Sequence, residues 1–362
     1  NQRGASPFTN DNLMKICFVL NDIKNEKCGT SVLLMNTAHA RGHEVYAMGV
    51  GDFNFHHDAP ISINSVQVPK NTKTKSPAKF LEALQSSKAR KKTIAANKLD
   101  VLFIRNNPTE EESGREWAEH AGVAFGRMIQ QEGVLVLNDA NALSNAFIDK
   151  LYFEELPQEI KPDSLITRNK EDILKFWEKN NKKIVLKPLE GSGGQNVFLI
   201  DENEKNINQI IETISQHGYV IAQEYLPAVK DGDVRILLMN GRVMVKDGKQ
   251  AIIRRVSGEG EFRSNFALGA TADSSDLTPE MQRIVDLTAP KLIRDGLFFV
   301  GLDVVKDKLI EINVLSPGGM ERFKDIGLPD FTPMVIEAIE RKVEYKELYG
   351  HQFDNREIAC ME

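Results

Sequence analysis

Short apolar runs alternate with amphipathic stretches over the first third of the chain. Lys15–Leu20 (KICFVL) reads as a buried strand. Over 30–41 the apolar residues Val32, Leu33, Met35 and Ala38 fall at helical spacing, and Gly42 is placed to end that helix. Glu44–Met48 is a second strand. Strand, helix, glycine, strand predicts a βαβ unit and therefore a parallel sheet. Asp100–Ile104 (DVLFI) and Val134–Leu137 (VLVL) continue the sheet, with a helix around Trp117–Gln131 between them. This first region ends near Asn138.

The pattern then changes. Asn141–Glu155 predicts a helix, broken by Pro157 and Pro162. Strands at 165–167, 183–187 and 196–199 are interleaved with helices at 169–180 and 206–217. From Val220 strands dominate: 220–225, 234–239, 242–246, 251–254, 299–305 and 308–313, with one long helix over 278–295. A last helix near Pro333–Val343 leads into a polar tail.

Composition narrows the class. The 362 residues are 41% hydrophobic and 27% charged, which is ordinary for a folded soluble chain and leaves length for two or three domains. No apolar run is long enough for a transmembrane helix, so no membrane partner is expected. Residues 1–13 are polar and lack the apolar core of a secretory signal; they read as a loose leader. A net charge of −6 argues against nucleic acid as a partner. One stretch, 70–98, opposes that balance with eight lysines and Arg90 against Glu82 alone. It reads as a solvated helix-and-loop face or as a device that steers an anionic substrate. The three cysteines, Cys17, Cys28 and Cys360, form no CxxC pair. They point to a reducing, cytoplasmic setting rather than a zinc site or a disulfide framework. His56-His57-Asp58 reads as loop surface.

Four segments carry chemistry. In 299–313, two apolar strands flank Lys306-Asp307-Lys308, a short turn. Centring the hairpin on Asp307 sets position 303 opposite 311. The period of two puts Asp303, Glu311 and Asn313 on one face. Two carboxylates and an amide oxygen suit Mg²⁺; the alternative is a solvated hairpin with incidental acids. On the metal reading, Asp303→Asn or Glu311→Gln abolishes turnover and leaves the fold intact. In Ile184–Gly194 (IVLKPLEGSGG) a strand ends in Lys187 before a glycine-rich loop, which suits phosphate or is a plain turn. Arg254–Asn265 (RRVSGEGEFRSN) carries three arginines on a glycine-bearing loop, either a lid over a phosphoryl group or flexible surface. Asp231-Gly232-Asp233-Val234-Arg235 opens a strand. Together these segments predict a site for a nucleotide with magnesium.

The strings LITRNKEDILKFWEKN, VLKPLEGSGG, AQEYLPAVKDGDVRIL and GLFFVGLDVVKDKLIEINVLSP resemble the ATP-grasp ligases and, among them, the bacterial glutathione synthetases. The resemblance runs from about Lys15 to Lys342 and is strongest after Leu165. It implies an α/β ATP-grasp fold with an N-terminal parallel-sheet (pre-ATP-grasp) domain. The implied units are an N-terminal domain on the peptide side (14–138), a central lid (139–219), a C-terminal domain with the Mg²⁺ site (220–343) and a tail (344–362). It also implies a cytoplasmic homo-oligomer using ATP as co-substrate with Mg²⁺, or Mn²⁺ in its place.

Position by position, the resemblance sets Lys150 and Lys187 on the ATP phosphates and Glu190, Gly191, Ser192, Gly193 and Gly194 in the loop that covers them. Gln223, Glu224, Tyr225 and Leu226 resemble the hinge that reads adenine, and Asp233 lies where nucleotide contacts follow. Arg235 and Arg255 resemble phosphate-contacting arginines. Arg263 and Asn265 fall on the lid over the acyl phosphate. Asp303, Glu311 and Asn313 match the magnesium triad, and Arg105 resembles an arginine of the peptide site. Two stretches depart from the family pattern: Leu315–Gly319, beside the acceptor, and Asn107–Glu111. A basic insertion near residue 90 is a third difference. Ser316, Pro317, Gly318 and Gly319 are expected to line the acceptor pocket, where two glycines offer backbone N–H groups to a carboxylate.

The implied reaction joins γ-glutamylcysteine and glycine to form glutathione, with release of ADP and phosphate. A ligase of the same mechanism with another peptide or amine is the alternative. A nucleotide-binding regulator without turnover would have lost metal ligands or phosphate lysines, and neither is lost here.

Overall fold

The computed structural model describes residues 13–68, 76–108, 111, 114–146, 149–190, 196–216, 218–256 and 270–362. Strands β1 (Lys15–Leu20), β2 (Glu44–Gly49), β3 (Phe53–His56), β4 (Ala59–Gln67), β5 (Arg90–Ala95), β6 (Val101–Ile104) and β7 (Leu135–Leu137) form the first sheet. Its order is β3-β4-β2-β1-β6-β7, with β5 also paired to β4. β1 lies parallel to β2 and β6, and β6 parallel to β7. Apart from Lys15 and Glu44 at their starts, these parallel strands are buried and largely apolar, as in a sheet covered by helices on both faces. Strands β3 to β5 are antiparallel additions that the hydrophobic pattern did not predict. β5 (RKKTIA) lies inside the basic stretch, so that stretch is not only helix and loop. Its charges blunt a sheet edge.

Helices α1 (Thr30–Ala40), α2 (Pro77–Gln85) and α3 (Ala121–Gln131) accompany this sheet. The helix expected over 141–155 is two, α4 (Ala140–Asn145) and α5 (Asp149–Glu154). Asp139 fixes the start of α4 by accepting from the N–H groups of Asn141 and Ala142.

The second sheet is antiparallel, in the order β10-β9-β11-β8. Its strands are β8 (Ser164–Thr167), β9 (Ile184–Pro188), β10 (Phe198–Ile200) and β11 (Val220–Glu224). Helices α6 (Lys170–Lys179) and α7 (Ile207–Ser215) pack on it, closing a core of its own around Ile173, Leu186, Ile200, Ile211 and Val220.

The third sheet runs β17-β16-β12-β18-β19, with β13 on β12. Its strands are β12 (Asp233–Met239), β13 (Arg242–Val243), β16 (Ile252–Val256), β17 (Thr271–Asp273), β18 (Phe299–Val305) and β19 (Lys308–Asn313). A two-stranded ribbon of β14 (Val245–Lys246) and β15 (Lys249–Gln250) projects between them. Asn240-Gly241 and Asp247-Gly248, all at positive φ, make the two tight turns. Helix α8 (Pro279–Arg294) precedes β18, and α9 (Thr332–Tyr349) follows β19.

The first and third sheets share their cores. Phe103 and Leu135 cluster with Phe298, Phe299 and Ile336. The buried Asn138 amide donates to the carbonyls of Phe299 and Val314 and accepts from Phe299 N–H. The last helix does not stop at Val343, and the expected polar tail is part of this body. After Tyr349 the chain forms α10 (Asn355–Cys360), with a capping box between Asp354 and Glu357. Ile358 and Ala359 are buried, and Asn355 bonds both backbone groups of Val136 beside β7. Among the described residues no helix is long and apolar enough to cross a membrane.

Candidate active site

One face of the third sheet carries a row of charges set by strand register. Asp233 stands opposite Arg255, Arg235 opposite Asp303, and Asp303 opposite Glu311. Asp233 and Arg235 are two apart on β12 and so share a face. The pairing of Asp303 with Glu311 is the one expected from the hairpin. The turn itself is tighter, with Val305 opposite Lys308, and a bulge after Asp303 absorbs the extra residue. Gly301 faces Asn313, and a side chain there would press on Arg235 and Pro317. Gly232, at φ +87°, lets β12 start against the Arg255 carbonyl, which a Cβ would overlap. Neither glycine stood out in the sequence.

The row is a closed ionic network. Arg235 grips Asp303 with Nε and Nη2, and its Nη1 donates to the Gly318 carbonyl at 3.2 Å. Arg255 donates Nε to Asp233 at 2.8 Å and lies 2.9 Å from Asp303 through Nη2. The Asn313 amide donates to Asp303 Oδ2 at 3.3 Å. Asp303 is wholly buried (0% exposed). Burial works to raise its pKa, but Arg235 and Arg255 outweigh that and hold it below the usual carboxylate range. Burial pushes Asp233 up and the like charge of Asp303 adds to the rise, against the pull of Arg255 and Arg235. Asp303 is therefore a structural ion as well as a candidate ligand. Asp303→Asn, expected from the sequence to leave the fold intact, takes the carboxylate from half-buried Arg235 and leaves Arg255 with Asp233 alone.

Residues expected from the sequence to hold nucleotide meet this row across a cleft between the second and third sheets. Lys150, Phe153 and Glu154 of α5, Lys187 of β9, Ile221 and Gln223 of β11, and Ile310, Glu311 and Ile312 of β19 line it. Lys187 Nζ donates to Gln223 Oε1 at 3.2 Å, and Lys150 Nζ donates to the Pro188 carbonyl at 3.0 Å. Glu190 is exposed at the end of the strand segment. β11 ends at Glu224, whose N–H is bonded to the Asp163 carbonyl. Tyr225 and Leu226 follow beyond the strand, and Lys183 sits over the Tyr225 ring. Phe153, Glu154 and the two isoleucines of β19 were not anticipated; nothing in their local sequence marks them.

Arg105 lies apart, at the C-terminal end of β6. It is 3% exposed, wedged by Phe103 and Phe299. Nε donates to Ser31 Oγ at the start of α1 and Nη2 to the Pro317 carbonyl at 2.7 Å, while Nη1 has no partner among the described residues. Burial lowers its pKa to about 10, against the nearby charges of Glu26 and Glu321. The segment 315–319 thus bridges two arginines, Pro317 to Arg105 and Gly318 to Arg235. The N–H of Gly319 is bonded to Glu321, so only part of the expected glycine cradle is open to a carboxylate. Thr30 links the same loop, donating to Glu321 and accepting from Met320 N–H.

Gly191, Ser192, Gly193, Gly194, Arg263 and Asn265 lie outside the described residues, as do Thr109 and Glu110. No group of three or more His, Cys, Asp or Glu able to hold a metal occurs among the described residues. The triad above contains two carboxylates and an amide.

The family model for the prokaryotic glutathione synthetase N-terminal domain matches residues 14–144, and that for its ATP-grasp domain matches 149–327. Glutathione synthetase of Vibrio parahaemolyticus is 31% identical over 91% of this chain and 99% of its own length. That of Escherichia coli K12 is 31% identical over 92% and 99%. Among solved structures, the macrocyclase MdnC bound with precursor peptide MdnA aligns at a TM-score of 0.59 and 12% identity, covering 90% of this chain and 99% of that one. The ATP-grasp ligase PsnB aligns at 0.55 and 17%, covering 91% and 100%. These two likenesses bear on the fold alone. With both family models and full-length relatives in agreement, the chain belongs to the prokaryotic glutathione synthetases, ATP-dependent ligases of the ATP-grasp fold.

Proposed function

We infer that the chain joins γ-glutamylcysteine to glycine: ATP + γ-glutamylcysteine + glycine → glutathione + ADP + phosphate. The observation that carries this reading is the cleft itself. It brings Lys150, Lys187 and Glu311 together beside the Arg235–Asp303–Arg255 network, at the boundary between two separately packed bodies.

In this reading the cysteinyl carboxylate attacks the γ-phosphorus of ATP and the bond to the ADP oxygen breaks. Lys150 and Lys187 hold phosphate oxygens as point charges. Arg235 and Arg255, fixed by carboxylates before substrate arrives, face the charge that develops on the transferring group. Adenine is read by the backbone of Tyr225 and Leu226, since the Glu224 N–H is already bonded. The glycine amine then attacks the acyl carbon, phosphate leaves, and the amine gives up its proton. Arg263 and Asn265 are proposed to cover the acyl phosphate and exclude water, which would hydrolyse it.

The donor chemistry of Asp303, Glu311 and Asn313 fits Mg²⁺ or Mn²⁺, hard ions that take oxygen ligands. When bound, such an ion neutralises charge on the β- and γ-phosphates. Arg105 is proposed to take a carboxylate of the dipeptide. Its unpartnered Nη1 and the start of α1, which has no acidic residue in its first turn, both favour an anion there. Ser316–Gly319 lie between that subsite and Arg235.

ADP release measured across dipeptides and acceptor amines tests the function. γ-Glutamylcysteine with glycine is expected to give the highest kcat/KM. A tenfold preference for another dipeptide or for a bulkier amine makes the chain a ligase of the same mechanism with a different substrate.

A further inference from the structure

The loop of residues 21–29, between β1 and α1, contains no regular structure, yet it borders the Arg105 subsite. Its base is fixed by a reciprocal pair, Asn21 Nδ2 to the Asn107 carbonyl and Asn107 N–H to Asn21 Oδ1, each 2.7 Å. Its middle is fixed from a different element. Gln85, in the last turn of α2, directs Nε2 at three carbonyls of the loop, skipping that of Asn25: Ile23 at 2.9 Å, Lys24 at 3.2 Å and Glu26 at 3.1 Å. Gln85 is solvent-exposed, so core packing gives no reason for it. Its backbone, however, is anchored by Phe80, Leu81 and Leu84, all buried on the inner face of α2. The Glu26 side chain contributes to the field at Arg105, and the loop runs directly into Thr30 and Ser31, which contact Glu321 and Arg105.

We propose that Gln85 is a positioning residue for the acyl-donor peptide, holding the 21–29 loop so that Glu26 and the start of α1 stand correctly beside Arg105. The proposal rests on the reading of Arg105 as the dipeptide subsite. It also gives α2, part of the basic stretch, a task that its charge does not suggest. What the loop requires from position 85 is hydrogen-bond donation to carbonyls. Gln85→Met keeps the length and removes the donors. Gln85→Glu keeps the shape and faces three carbonyls with a carboxylate. Gln85→Lys restores donors, three in number.

Steady-state kinetics of the full chain provide the test, with Arg105→Met as the reference for the subsite. Gln85→Met is expected to raise KM for γ-glutamylcysteine about fivefold, as for the loss of a partly solvated hydrogen-bond set. The KM for ATP and the melting temperature should stay near wild type. Gln85→Glu should be worse, and Gln85→Lys should recover most of the loss. Trypsin should cut after the exposed Lys24 and Lys27 faster in Gln85→Met, and saturating dipeptide should slow that cutting. If Arg105→Met raises the dipeptide KM and Gln85→Met does not, the positioning role is overturned while the subsite stands. If neither variant moves it, the subsite reading fails and the proposal falls with it. A lower melting temperature with unchanged KM makes Gln85 merely structural and also overturns the proposal.

Discussion

The second sheet closes over a small core of its own, Ile173, Ile184, Leu186, Ile200 and their neighbours. The first and third sheets instead share continuous clusters that run from β1 and β6 through Phe298 and Phe299 to α9. The candidate site is divided along the same line. Lys187 and Gln223 belong to the small body, and the buried Arg235–Asp303–Arg255 network belongs to the large one. A ligand held by both bodies draws them together, and a body with few tertiary anchors can move without disturbing the network. The larger body holds charge that is costly to separate: Asp303 and Arg255 are buried, and removing one member of such a set leaves an uncompensated ion.

The largest effect expected from breaking this contrast is at Asp303. Asp303→Asn should abolish ligase activity and lower unfolding free energy by about 3–5 kcal/mol, because Arg235 and Arg255 lose a shared buried partner. Glu311→Gln, on the half-buried cleft side, should also abolish activity but change stability by less than about 1 kcal/mol. Urea denaturation with an ADP-release assay separates the two. Equal stability of both variants would remove the network from the fold's support.

Next come matched core truncations. Leu186→Ala and Leu302→Ala both open buried sites and should each cost about 2–5 kcal/mol locally. Hydrogen exchange should place the first loss in residues 164–224 only. The second should spread through both large sheets. Faster exchange of β1 or β18 in Leu186→Ala would show that the bodies unfold as one.

Across the cleft, Lys187→Ala should weaken ATP binding by about 1.5–3 kcal/mol, the range of a charge-assisted hydrogen bond. The melting behaviour of the larger body should not change. Titration calorimetry showing unaltered ATP affinity would exclude Lys187 from the phosphate site.

The smallest effect is a pH dependence confined to the larger body. Lys342 is fully buried, bonded to Asn240 Oδ1 and the Met361 carbonyl, and burial lowers its pKa to about 8. Lys346 is lowered to about 8 by the same cause. Above pH 8 the folded chain binds fewer protons at these groups than the unfolded one, so they make stability rise with pH. The rise should amount to about 1 kcal/mol for Lys342 between pH 8 and 9, and to less for Lys346, which is partly open to solvent that screens it. Above the ordinary thiol range Cys360, raised to about 12 by burial, opposes it. Thermal melts of wild type and Lys342→Met over that interval check the sign, and identical slopes would refute it.

The sequence was most informative where a local period decides geometry. The apolar runs of β1, β6 and β7 predict parallel strands buried on both faces. The alternation around Lys306-Asp307 predicts that Asp303 and Glu311 share a face. It was least informative where polar segments pair at an edge. β5 opens with Arg90, Lys91 and Lys92, charges on both faces, and becomes a strand only because β4 offers a partner. The tail is similar. Its residues look solvated until Asn355 supplies hydrogen bonds beside β7 and Ile358 finds the core.

By itself, then, the chain determined the succession of strands and helices, the hairpin with its carboxylates, and, through its motifs, a ligase of the ATP-grasp kind. Those features depend on neighbours within one or two turns of sequence. Tertiary structure decided which charges meet. Arg255, Asp233, Arg235 and Asp303 come together only because β16, β12 and β18 are adjacent in one register. Arg105 and Arg235 are joined through 315–319 only because the first and third sheets share a core. Long-range pairing is fixed by burial and register summed over the whole fold, and no single segment contains that sum.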